Sequence, residues 1–134
     1  MEQLTFQEVT EELVRLYTQG KYAEAEEMIE GHAGRFPEQS ARTTFWRMCL
    51  LSLSGRADDT ISVFRQGLET GLWWRQDVFD DPDLNAVRDL PEFKRLVAES
   101  QLKYESAHKH MEQDHAVLLP ETPSTGGYPM LIAL

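Results

Sequence analysis

The densest group of metal-ligating side chains in the chain is "HKHMEQDH", which carries His108, His110, Glu112, Asp114 and His115. Imidazole nitrogens and carboxylate oxygens are the donors a zinc-like ion takes, but they must converge on one point. On a helix His108 and His110 face opposite sides, and only His108 with Glu112 shares a face at i, i+4. The stretch is therefore expected to be a solvated helix end with cationic groups near the C-terminus. "FDDPD" groups Asp80, Asp81 and Asp83, yet it lacks the D-x-[DN]-x-[DN]-G loop and later Glu that calcium requires, so capping is the expected role. His32, beside two glycines, has no Cys or Asp partner nearby. The single cysteine, Cys49 in "FWRMCLLSL", is expected to be a small buried hydrophobe, and one thiol excludes a disulfide framework. No G-x-S-x-G elbow, P-loop or G-x-G-x-x-G occurs, and no Ser stands out with a plausible His and Asp. The chain is expected to have no catalytic residues of its own, no metal and no cofactor.

Helices must position whatever these residues do. Phe6, Val9, Leu13, Leu16 and Tyr17 recur at helical spacing and predict a first amphipathic helix ended by Gly20. Tyr22, Ala25, Met28 and Ile29 mark the inner face of a second, with Glu24, Glu26, Glu27 and Glu30 elsewhere and a close at Gly31, Gly34 and Pro37. Ser40 is expected to cap a third helix, apolar nearly all round and so central. A fourth begins at Ala57, with Ile61, Phe64 and Leu68 inward. Asp81 and Pro82 predict an N-cap and first-turn proline for a short helix over Leu84 to Arg88, and Pro91 opens a last helix running to about Gln113. Core packing is the expected role of the aromatics Tyr22, Phe45, Phe64 and Phe93. Trp73 and Trp74 are adjacent and on a helix would not face one core, so one of them is a candidate partner or interdomain contact.

At 134 residues, the length suits one domain with a real core. A net charge of −10 argues against nucleic acid and against anionic membranes, since both need clustered Lys and Arg. The start has no basic n-region or apolar h-region, and no stretch approaches the ~20 apolar residues of a membrane span, so a cytoplasmic setting is expected.

The turns predicted at Gly20, Gly55 and near Leu90 are equally spaced, 55 − 20 = 35 and 90 − 55 = 35. Helix pairs on such a period resemble the tetratricopeptide repeat, whose period is about 34 residues. The first unit, "YTQGKYAEAEEMIEGHAGRFP", is similar through Gly20, Tyr22, Ala25, Ile29 and Pro37, whereas Val9, Glu12, Leu13 and Leu16 depart from the family's opening helix. Unit two keeps Gly55 and Phe64 but has Thr60 and Met48 where small residues are usual, and unit three looks like a shortened terminal unit. The resemblance spans about residues 8–102. It implies an all-α fold, a right-handed superhelix of antiparallel helix pairs, with a concave surface that docks a peptide or another domain.

From Ala116 the pattern changes to "AVLLPETPSTGGYPMLIAL", two apolar runs joined by a Pro/Ser/Thr/Gly turn region, which predicts a β-hairpin-like or extended tail. The second run, apolar on both faces, suits a strand covered on each side. "LP", a short loop, then "YP" and "MLIAL" resemble the first strands of an α/β-hydrolase of the esterase or dienelactone-hydrolase type, in which His-Gly and then the nucleophile elbow would come next. The expectation is a helical-repeat domain over 1–113 and, over 114–134, the start of a truncated hydrolase domain. On this reading the chain docks on the adjoining hydrolase or recruits a protein partner. The alternative is a free-standing adaptor for a peptide or protein. An unpaired final strand also predicts homo-oligomers through it.

Overall fold

Thr5 starts the first helix with a reciprocal cap: its Oγ1 accepts the Glu8 N–H (3.1 Å) while Glu8 Oε1 accepts the Thr5 N–H (2.9 Å). The computed structural model describes residues 4–114, with side chains through His108. Among the described residues five helices occur in order: α1 (Phe6–Thr18), α2 (Tyr22–Ala33), α3 (Ser40–Leu53), α4 (Ala57–Glu69) and α5 (Pro91–Asp114). Short 3-10 turns occupy Pro37–Gln39, Gln76–Asp80 and Pro82–Leu84, and no strand occurs among the described residues. The expected tail strands lie outside the described residues.

Gly20 and Gly55 take φ of 76° and 78°, left-handed values that a side chain resists. Their turns are the same hydrogen-bonded unit: Lys21 N–H reaches Leu16 O and Arg56 N–H reaches Leu51 O, each at 2.9 Å. The α1/α2 and α3/α4 hairpins are thus equivalent at a spacing of 35 residues (55 − 20). The third turn expected near Leu90 is not of this kind. There the chain arrives through 3-10 turns rather than a helix, Leu90 N–H closes on Val87 O at 3.0 Å, and the segment expected as a short helix over Leu84 to Arg88 is turns. The left-handed glycine that ends α4 is Gly71 instead, with φ 102°.

The main helix contacts run between chain neighbours, α1 on α2, α2 on α3, α3 on α4 and α4 on α5. α3 is central as expected, burying Trp46, Met48, Cys49, Leu50 and Leu51 between its neighbours. Phe6 stacks on Trp46 at 5.7 Å, and Phe64, Phe79 and Phe93 pack edge to face or tilted within 6 Å at the α4–α5 end. Tyr22 and Phe45 lie at the edge of this core, half-buried rather than inside it.

Three local expectations need correction. Ser40 is the first residue of α3 rather than its cap, because its hydroxyl donates back to Pro37 O at 2.6 Å. α2 runs through Gly31 to Ala33. Glu26, expected away from the apolar face, is buried, and Arg47 of α3 donates Nε to its carboxylate at 2.9 Å. A buried carboxylate persists only with such a partner.

Glycine chemistry inside the helices separates two substitutions. Gly67 of α4 is closed in: an added Cβ meets Trp74 Cη2 at 3.1 Å and Thr44 Cγ2 at 3.2 Å. Gly31 of α2 has nothing within 4 Å of such an atom. Gly67→Ala is expected to destabilise by about 1–3 kcal/mol through overpacking, and Gly31→Ala to stabilise by about 0.5–1 kcal/mol by removing backbone freedom from the unfolded chain. Urea unfolding of both variants measures this, and equal effects would refute the packing assigned to Gly67.

Candidate functional site

The chain leaves α4 at Gly71 and carries Trp73 and Trp74 outside any helix, and the two indoles part company. Trp74 turns inward. Its N–H donates to Ser100 Oγ (2.7 Å), the Ser100 hydroxyl donates to Trp74 O (2.7 Å), and indole Nε1 donates to Ala41 O (3.0 Å). Its ring meets Phe64 at 5.8 Å and Phe45 at 6.5 Å. Trp73 turns to α5 and stays half-buried, edge to face with Tyr104 at 5.5 Å. Of the two candidate contact residues, the structure makes Trp74 core and leaves Trp73 at the surface.

Beside Tyr104, the outer flank of α5 borders a groove of about 600 Å³. Phe79, Phe93, Val97 and Leu102 contribute apolar lining, with Arg88, Lys94 and Glu105 as polar lining. The wall opposite α5 is fixed by Arg88, whose guanidinium donates to Phe79 O (3.2 Å), Asp81 O (2.7 Å) and Asn85 Oδ1 (2.5 Å). Leu102 is 66% exposed. Gln101 Oε1 and His108 Nδ1 are buried without a hydrogen-bond partner. The groove thus combines an apolar lining with charged groups beside it.

The profile of the A/B hydrolase-like, N-terminal domain family matches residues 5–108, which take in α1 to α4 and most of α5. The chain belongs to this family. No curated protein and no solved structure matches it. The groove therefore lies within the matched part of an A/B hydrolase-like N-terminal domain.

A second cluster in this domain is one the sequence did not suggest. Cys49, Asp81 and Asp83 bring ligand atoms within 4.8 Å of one another. The expected capping role of Asp81 holds, since its Oδ1 accepts the Asp83 N–H at 2.9 Å. Tyr17 of α1 donates its hydroxyl to both Asp83 oxygens, at 3.1 and 3.0 Å, a contact across 66 residues that no local pattern announces. Burial pushes the Asp81 carboxyl up despite its hydrogen bond from Asp83 and the nearby Arg88. Burial also raises Asp83, and the neighbouring Asp81 charge adds to it. The fully buried Cys49 thiol is raised well above its ordinary range, first by burial and then by the two carboxylates, so it is neutral. A cation would have to displace the Tyr17 bond and the Asp81 cap and strip that proton, so the arrangement acts as a tie between α1 and the 82–84 turn. As for "HKHMEQDH", His108 Nε2 is taken by Tyr104 (3.3 Å), and the side chains from His110 onward lie outside the described residues.

An acid whose folded pKa is raised binds its proton more tightly when folded, so stability is greatest with it protonated and falls as pH rises through the folded pKa. Asp81 and Asp83 thus lower stability as pH rises from the ordinary carboxylate range towards neutral. Glu92, lowered by Arg95 and Arg65, acts oppositely and only at lower pH. Asp83→Asn keeps an acceptor for Tyr17 and removes one charge. Urea midpoints are expected to fall less over that pH rise than in the wild type, leaving the variant the more stable of the two at neutral pH. An unchanged slope would remove the aspartates as its cause.

Proposed function

We propose that this domain is the non-catalytic N-terminal docking element of an α/β-hydrolase of esterase type, packing against its catalytic domain through the α5 groove and the adjacent Trp73–Tyr104 surface. The family match over residues 5–108 carries the reading. The groove supports it by offering apolar area at an exposed Leu102 with charged groups alongside. The equivalent hairpins closed at Gly20 and Gly55 support a tetratricopeptide-like stacking as the scaffold behind that surface. The apolar run "YPMLIAL" is then the first strand of the catalytic domain.

On this reading catalytic groups come from the partner domain and the helical domain supplies position. The longer reading frame is expected to contain a G-x-S-x-G elbow after Leu134. The present chain is expected to show no turnover of a p-nitrophenyl ester, while the longer protein turns it over. Leu102→Asp in the longer protein is expected to lower its midpoint of unfolding, at about 1–2 kcal/mol for a truncated apolar anchor, with the ester site intact. A stop codon directly after Leu134, or ester turnover by the present chain, would sink the proposal.

A further inference from the structure

One stripe of α5 carries a charge pattern that is complementary to itself. Lys94, Ala98, Gln101 and Glu105 recur at i, i+4, i+7 and i+11, so they share one flank of the helix, and all four border the groove together with Val97 and Leu102. Ala98 and Leu102 are exposed, Leu102 by 66%. Arg65 and Arg95 are committed to Glu92. Among the described residues no ion pair takes Lys94 or Glu105, and Glu105 accepts the Gln101 amide at 3.0 Å. The net charge of −10 opposes the meeting of two copies at long range, so a local match of opposite charges decides which faces can approach.

A two-fold interface requires that residue i meet residue j and that j meet i. Lys94 and Glu105 are 105 − 94 = 11 residues apart, and the midpoint between them falls between Glu99 and Ser100. A second α5 laid antiparallel across that midpoint brings Glu105 of the second copy level with Lys94, and Lys94 of the second copy level with Glu105, each about 8 Å along the axis from the centre. In the same register Val97 comes level with Leu102 of the second copy, and Ala98 with its Gln101. Ala98 ends at Cβ and lets the two helices approach. A parallel pair sets Lys94 beside Lys94 and Glu105 beside Glu105, like charges that repel.

We infer that this flank of α5 is the interface of a homodimer, two copies packed antiparallel about a two-fold at the Glu99–Ser100 midpoint, with two Lys94–Glu105 ion pairs across it. The second copy covers the apolar area at Leu102 and Val97 and gives Lys94 and Glu105 the partners that the described residues do not. The pairing is a property of the 134-residue chain and does not rest on the docking reading above. Where a catalytic domain occupies the same groove the two occupants exclude each other, so docking and dimerisation are alternatives.

Sedimentation equilibrium on the full 134-residue chain tests it, with Lys94→Glu, Glu105→Lys and an equimolar mixture of the two variants. Both positions are exposed, and far-UV circular dichroism checks that each variant folds. The wild type is expected to dimerise as concentration rises. Each variant alone turns two ion pairs into two like-charge contacts, and its dimer is expected to weaken about tenfold. In the mixture a mixed dimer regains both ion pairs, one of them with its polarity reversed, and the affinity is expected to return to the wild-type range. A wild type that stays monomeric, variants that dimerise as tightly as the wild type, or a mixture no tighter than the variants alone each overturn the inference. The second of these is the result that pairing through the C-terminal strand gives. The outcome is independent of ester turnover in a longer protein.

Discussion

The arrangement of the last three helices depends on how one indole is held. Trp74 is fixed at both ends of its amide unit by Ser100 of α5 and at its ring nitrogen by Ala41 of α3, while its ring lies against Phe64 and Gly67 of α4. Three helices thus share one rigid side chain that has few rotamers and no unpaired polar atom. Gly67 is the complement of that ring, since any larger residue would push on a part of the molecule with nowhere to go. Because Ser100 bonds the backbone on both sides, the register of α5 against the 72–75 segment is set, and with it the position of everything α5 presents outward.

The first half of the chain solves a different problem. Many of its charges are glutamates, and one of them, Glu26, is drawn into the α2–α3 contact by Arg47, which also lies 3.8 Å from Glu30. Such a pair adds little net stability but disfavours alternative helix registers, because any slip leaves a buried charge alone. At the other end of α1, Tyr17 bridges to Asp83 and ties the first hairpin to the turn that precedes α5. Helices that contact mainly their neighbours in sequence are in this way also linked across the chain.

These constraints leave α5 with two unequal flanks. One carries Phe93, Leu96 and Ser100 into the core, and the other carries Leu102, Gln101 and the groove, where apolar area and polar atoms are unsatisfied by the described residues. Membership of the A/B hydrolase-like N-terminal family makes a neighbouring catalytic domain the reading we favour for what completes this surface.

Period and breakers were enough to read the helices, because a 3.6-residue repeat and a left-handed glycine are properties of a few adjacent residues. Phe6, Val9, Leu13 and Leu16 announced α1, Gly20 and Gly55 announced the hairpins, and the all-round apolarity of α3 announced the centre. Where equal spacing was extended to Leu90 it failed, since numerical regularity does not require the same backbone geometry, and Gly71 rather than Leu90 carries the left-handed turn. The fates of Trp73 and Trp74 were readable as a difference but not as an assignment. Adjacent side chains must part, yet which one enters the core depends on Ser100 and Ala41, far along the chain. The same holds for Glu26, whose burial depends on Arg47, and for Tyr17, Cys49, Asp81 and Asp83, which meet only when α1, α3 and the 81–84 turn converge. The sequence by itself determined the helices and their hairpin turns, because local sterics and local periodicity decide them. Only the tertiary structure decided which polar groups are buried and which are left to bind, because desolvation depends on neighbours that sequence distance does not reveal.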